Sequence, residues 1–136
     1  MMFTEAEIEY LDGQRLGRLA TVGPDGYPQN RPVGVHYNTE KQTIDVVGYD
    51  LSTSRKWRNA ESHPYVSFVV DDLVSVKPWR ARGIEVRGEA ELLRGPGVSP
   101  FGDEVIRIHP RRILSWGLDP ENSRRMVKRD VAAPAG

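Results

Sequence analysis

Residues 16–37, LGRLATVGPDGYPQNRPVGVHY, decide how the rest of the chain is read. Leu16 to Val22 forms one β-prone arm, Gly23-Pro24-Asp25-Gly26 interrupts it, and a second extended arm runs from Tyr27 to Tyr37. Asp-Gly between two such arms is a strong hairpin signal, because glycine accepts the positive φ that a tight turn needs. The second arm is unusual. Pro28 and Pro32 each lack a backbone donor, which confines Gln29 to Val33 to a sheet edge, a bulge or a break in the pairing. Backbone groups freed in this way can bond a ligand, so Gln29, Asn30, Pro32 and Val33 are candidates for cradling a flat heterocycle. The competing reading is an edge strand guarded against aggregation.

Working outward, Thr4 to Gly13 reads as a short amphipathic helix. Thr4 and Glu7 have capping-box spacing, Phe3 and Ile8 fit a hydrophobic staple, Ile8 and Leu11 mark the buried stripe, and Gly13 is a plausible stop. It would cover the sheet as a lid or plug. On the other side, Asn38 to Gln42 is a polar turn and Thr43 to Val47 a third strand. Tyr65 to Val70 is a fourth, turned by Asp71-Asp72, and Leu73 to Lys77 begins another that Pro78 interrupts. Ile84 to Leu92 alternates with period two, which points Ile84, Val86, Ala90 and Leu92 to a core and Glu85, Arg87, Glu89 and Glu91 to water. Arg94 to Gly102 is a Gly- and Pro-rich loop, and Val105–Pro110 with Arg112–Trp116 makes one long strand bent at the proline. Six to seven antiparallel strands with short flanking helices specify a mainly β fold, a small barrel filled by side chains. A cofactor would then bind outside it, most naturally between two subunits. The domain spans residues 1–119; residues 120–136 are a polar basic tail, either a short exposed helix or disordered.

Composition narrows the chemistry. With 136 residues and no cysteine, the chain suffices for one core and has no disulfide, thiolate metal site or cysteine nucleophile. The 19 basic and 19 acidic residues cancel, which argues against a nucleic-acid partner, although Arg107, Arg111, Arg112, Arg124, Arg125, Lys128 and Arg129 gather near the end. No apolar run reaches the roughly 20 residues of a membrane span and the first residues lack signal-peptide character, so the expectation is a cytoplasmic protein. His36, His63 and His109 show no metal-ligand spacing, and Asp71-Asp72 would point to opposite sides of an extended segment rather than form an acid–base pair.

Residues 46–64, VVGYDLSTSRKWRNAESHP, carry the most chemistry. A strand ends at Val46-Val47, Gly48 lets the chain turn, and Ser52-Thr53-Ser54 precedes a short helix bearing Arg55, Lys56 and Arg58. Hydroxyls, free N–H groups at a helix start and cations together suit a phosphate. The plainer alternative is an N-cap followed by solvated cations. No nucleophile, general base or metal set accompanies this site, which suits a reaction carried by a cofactor. The aromatic–cation cluster Trp79, Arg80 and Arg82 remains without a partner in this scheme.

The ordered set LGRLATVGPDGYPQNRPVGVHYN, SRKWRNAESHPYVSFVVDD, PWRARGIEVRGEAEL and EVIRIHPRRILSWGLD resembles the flavin and deazaflavin oxidoreductases related to pyridoxamine 5'-phosphate oxidase, and most of all the actinobacterial F420-dependent branch. The resemblance spans Phe3 to Asp119. It implies a split barrel that forms a homodimer with cofactor sites at the interface. It also implies that F420, or alternatively FMN, has its phosphate held by Ser54, Arg55 and Lys56, with Thr53 adjoining. The ring would be lined by Gln29, Asn30, Pro32, Val33, Val47 and Gly48, and the partner subunit would offer Trp79, Arg80 and Arg82. Asn30-Arg31 departs from the smaller or apolar residues of many relatives. The implied activity is hydride transfer between the deazaflavin and a small conjugated organic substrate, without a dedicated catalytic residue. A non-catalytic cofactor carrier is the rival from another class, and a nucleic-acid-binding barrel a third.

Overall fold

In the computed structural model, whose described residues are 2–131, β1 (Leu16–Val22) and β2 (Pro28–Gly34) pair antiparallel, from Leu16 opposite Gly34 to Val22 opposite Pro28. The remaining strands are β3 (Tyr37–Asn38), β4 (Thr43–Val46), β5 (Tyr65–Ser75), β6 (Arg80–Arg94), β7 (Glu104–Trp116) and β8 (Met126–Asp130). The helices are α1 (Glu5–Asp12) and α2 (Arg55–Ser62). The strands follow the order β2-β1-β5-β6-β7-β4-β3, with β8 also on β7. The ends of that path, β2 and β3, are separated in the chain by Val35 and His36 alone, so the sheet must curl until its first and last strands meet. The result is a split barrel. β2 is a terminal strand of the path, the position that tolerates its two prolines.

β7 serves two neighbours on the edge opposite β6. Ile106–Ile108 pairs with β4, and Arg112–Trp116 pairs with β8. The handover falls at a register shift, where Gly88 faces Pro110 and Arg87 faces Arg112. Proline needs no donor at such a bulge, and a Cβ on Gly88 would lie 2.2 Å from the His109 carbonyl, so only glycine permits the approach. Inside the curl, Leu19, Phe68, Val70, Ile84, Val86 and Ile113 are buried, with Leu11 from α1 and Trp57 and Ala60 from α2 packed on them. The Thr4–Glu7 capping box forms, with bonds of 3.1 and 2.9 Å.

Two buried carboxylates lock the periphery. Asp45 accepts from Arg107 (3.1 and 3.2 Å), Asn38 (2.9 Å), Thr43 (2.8 Å) and Ser99 (2.8 Å), while Arg107 also donates to the Val98 carbonyl. This fastens the loop between β6 and β7 onto β4. Glu7, besides closing its capping box, accepts from Ser115 (2.6 Å) and from both terminal nitrogens of Arg129 (2.6 and 3.0 Å).

Two sequence expectations require correction. Asp71-Asp72 does not turn the chain: β5 continues to Ser75, because Arg18 pairs with Asp71 and Arg82 with Asp72 across the ladder, which neutralises both acids. Nor is all of 120–136 a helix or disordered. Met126–Asp130 is a strand, drawn in by the Arg129–Glu7 pair and by Arg112 on Asp130 (2.8 Å); residues 132–136, like Met1, lie outside the described residues. The basic carboxy-terminal region is consequently cross-linked, with Arg111 on Glu89 and Arg125 on Asp119 as well. Among the described residues no helix is long and apolar enough to cross a membrane.

Burial raises the pKa of Asp45 and Glu7, but hydrogen bonds from Arg107 and from Arg129 with their neighbours outweigh it and hold both below the ordinary carboxylate values. A carboxylate lowered on folding contributes its full stabilisation above its unfolded pKa and loses it as pH falls through the folded one. Urea midpoints should therefore stay level down to about pH 5 and drop steeply below about pH 4. Glu7→Gln should cost about 3 kcal/mol at pH 7 and show a shallower acid limb. An acid limb parallel to wild type would remove Glu7 from the responsible groups.

Candidate cofactor site

Between β4 and α2, after Val47, Gly48 and Tyr49, come a left-handed residue, Asp50, and a Ser/Thr-rich turn that opens with a single 3-10 turn, Leu51–Thr53. Its three hydroxyls are already committed. Ser52 donates through its hydroxyl (2.6 Å) and backbone N–H (3.1 Å) to Glu104, whose pKa these bonds lower. Thr53 donates to the Asp50 carbonyl (2.9 Å), and Ser54 donates to the Leu51 carbonyl (2.6 Å) while accepting from Trp57 N–H (3.3 Å) as the α2 N-cap. A phosphate group, which accepts only, is offered none of these protons. The hydroxyls instead shape the turn that presents Arg55 and Lys56.

Arg55 is exposed and Lys56 half-buried, and neither forms an ion pair among the described residues. Arg58 reaches back to the Thr53 carbonyl (3.0 Å). Behind them Asn59, 3 % exposed, donates to Thr21 (3.0 Å) and to the Gln29 side-chain carbonyl (2.9 Å). Gln29 is thereby fixed with its amide nitrogen against Gly23, where an added Cβ would sit 2.5 Å away. One buried amide thus connects the helix of the phosphate end to the strand of the ring end. The cleft between α2 and the β1–β2 turn, about 330 Å³, is lined by Arg55, Arg58, Asn59 and Gly23 among others.

The other predicted residues fall in three places. Asn30 and Pro32 are exposed on β2, whereas Val33 is buried in the core, so only its backbone is available to a ligand. Val47 is half-buried against Gly102 of the long loop and Gly48 is exposed beyond the end of β4. Trp79, Arg80 and Arg82 are not brought to this cleft within one protomer. Trp79 is exposed in the turn before β6, and Arg80 and Arg82 line a separate cleft of about 590 Å³ with Tyr10 and Leu118. Arg82 is spent on Asp72 (2.9 and 3.1 Å) and lies over the Tyr10 ring, whose hydroxyl donates to Asp72 (2.8 Å) and is raised in pKa by burial and by that acid. The histidines have packing partners: His36 stacks on Phe101, His63 meets Tyr65 edge-on, and His109 reaches Glu91. No group of metal-ligating side chains occurs among the described residues. Sequence reasoning missed Asn59 and Glu104, since a polar residue inside a helix and an acid after a loop carry no local signal of the partner they will meet.

The sequence pattern that defines pyridoxamine 5'-phosphate oxidase matches residues 3–117. The chain belongs to the pyridoxamine 5'-phosphate oxidase family. A Streptomyces rimosus member, 5a,11a-dehydrotetracycline/5a,11a-dehydrooxytetracycline reductase, is 42% identical over 139 residues, covering 100% of this chain and 98% of the relative. Among solved structures, a conserved hypothetical protein of Mycobacterium tuberculosis is similar at 26% identity with a TM-score of 0.67, covering 84% of each chain. A structure described as an F420 reductase shares the fold, at 24% identity and a TM-score of 0.62, covering 82% of this chain and 98% of that one.

The Asn59 contacts are testable without a ligand. Asn59→Ala should cost about 1–3 kcal/mol by stranding Thr21 and Gln29. The Gln29 side-chain amide signals in NMR spectra should then move to averaged, solvent-like positions. Signals that remain fixed would mean that the Gln29 amide is oriented by something else.

Proposed function

We propose that this chain is a homodimeric, cytoplasmic oxidoreductase that uses reduced coenzyme F420 to reduce a conjugated organic substrate. The observation that carries the reading is the start of α2. Arg55 and Lys56 are unpaired cations there, and their backbone N–H groups, the first two of the helix, have no protein acceptor among the described residues. Two free main-chain donors, two cations and a helix dipole in one turn suit a phosphate group. The likeness to the Streptomyces reductase supports both the reaction class and a substrate with a carbon–carbon double bond in conjugation.

In this reading Arg55 and Lys56 grip the phosphate, and Thr53 and Ser54 hold the turn that aims them. Gln29, held by Asn59, meets a polar edge of the ring; Asn30, Pro32, the Val33 backbone, Val47 and Gly48 form the surface on which the ring lies. The bound deazaflavin supplies the hydride from its ring carbon. The chain's own contribution is orientation and exclusion of water, with Trp79, Arg80 and Arg82 of the second copy closing over the site. Arg82 contributes there through its packing on Tyr10, its charge being already paired with Asp72.

Titration with F420 and with FMN, followed by ring fluorescence, separates the cofactors. Micromolar binding of F420 and weaker binding of FMN is the expected result; FMN retained through purification would overturn the choice. Arg55→Ala combined with Lys56→Ala should weaken F420 binding by about 3 kcal/mol or more, roughly a hundredfold. Unchanged affinity would show that the clamp lies elsewhere. F420-dependent reduction of a dehydrotetracycline-type enone distinguishes an enzyme from a carrier.

A further inference from the structure

Helical spacing puts Arg55, Arg58, Asn59 and Ser62 on one face of α2, at i, i+3, i+4 and i+7, and His63 adjoins them at the C-cap. Lys56 is turned about 100° away from Arg55 and does not line that face. Across a cleft of about 330 Å³ the face looks onto Val22, Gly23 and Pro24, where the Gln29 amide nitrogen packs against Gly23 in place of a side chain. No carboxylate lines the cleft. Asp25, the acid of the same turn, does not line the cleft; its Oδ1 lies beside Gly23 and accepts from the Tyr27 N–H (3.1 Å).

The donors left over are specific. Asn59 spends its amide protons on Thr21 and Gln29, and Arg58 spends one on the Thr53 carbonyl, a bond that holds its guanidinium beside the cleft. Arg55, the remaining N–H groups of Arg58, the Ser62 hydroxyl and the His63 ring are unspent among the described residues. Two guanidiniums one helical turn apart can share the oxygens of one anion. A volume of about 330 Å³ is at the small end of ligand sites, fitting a phosphate or carboxylate with a few attached atoms rather than a tricyclic ring.

We propose that this groove is an oxyanion subsite, with Arg58 as its own cation, Ser62 and His63 as flanking donors and Arg55 bridging to it from the helix start, which reads a second anionic group beyond the phosphate held there. That the group belongs to the cofactor or the substrate rests on the function proposed above; the groove's affinity for an oxyanion does not.

The test uses the full-length ¹⁵N-labelled protein titrated with inorganic phosphate and, separately, succinate, against sodium chloride at matched ionic strength. The expected result is saturable shifts at the amides of Gly23, Ser62 and His63, separate from any at Arg55 and Lys56 where the helix start takes phosphate. The groove shifts should weaken about tenfold in Arg58→Gln, disappear in Ser62→Asp and persist in Lys41→Gln, a cation on another surface. Ser62→Asp retains both guanidiniums and places a carboxylate one helical turn from Arg58, so its effect is read through charge and not through loss of the Arg58 side chain. The tighter-binding anion identifies the group as phosphate or carboxylate. No saturable shift beyond chloride with either anion, or shifts indifferent to both groove variants, would overturn the subsite. Anion binding in the groove without F420 binding would sink the function and leave the groove. F420 binding that is undiminished in both groove variants, with no anion shift, would do the reverse.

Discussion

Asp45 is a carboxylate that water does not reach, and the side chains gathered on it determine how the sheet closes. Removing an ion of this kind from water costs several kcal/mol, recovered only when every oxygen is bonded. Here Arg107 supplies a two-point contact and Asn38, Thr43 and Ser99 complete the shell. These residues come from β3, β4, β7 and the loop that precedes β7, so the shell assembles only when these three neighbouring strands have paired and the loop has folded back onto them. The same loop then places Gly102 on Val47 and leads into Glu104, which holds Ser52. The loop fastened by this buried charge thereby also supports the turn that opens the candidate site.

Where neighbouring residues determine the outcome, the sequence was legible. The Thr4–Glu7 box, the Asp25-Gly26 turn, the period-two strand and the proline bend are each decided within a few residues, and all appear in the structure. The position of β2 at a sheet end was legible too, because a missing donor is a local property. What the sequence concealed were consequences of distant pairing. Asp71-Asp72 looks like a turn until Arg18 and Arg82 arrive from other strands, and the final segment looks unanchored until Glu7, 122 positions away from Arg129, accepts its guanidinium. In the candidate site the residue types were visible but their commitments were not. Ser52, Thr53 and Ser54 read as anion donors, yet each proton is taken by a nearby acceptor, and the cations and the first backbone amides of α2 are what remain.

The split barrel is a scaffold on which a site is mounted rather than a statement of chemistry. Its interior is filled by aliphatic and aromatic side chains, so selectivity must reside in surface segments: β2, the turn before α2, the outer face of α2 and the turn before β6. Of these, β2 and α2 are tied to each other, because Asn59 bonds Thr21 and Gln29 while Trp57 and Ala60 on the same helix are seated in the core. Changes in α2 therefore reach the ring end of the candidate site without altering any residue there.

The Glu7–Arg129 pair also bears on how the molecule is made. Arg129 reaches across 122 positions to Glu7 and donates as well to the Met2 carbonyl, so the first helix acquires its neutralising partner only when β8, the last described strand, exists. On a ribosome, the amino-terminal segment emerges with an acid that belongs in the interior and nothing to balance it. Until β8 is synthesised, α1 has reason to stay undocked, its carboxylate in water. Docking of α1 is thereby coupled to the pairing of β8 on β7, a contact of long sequence separation whose loop-closure entropy must be met before the helix is seated.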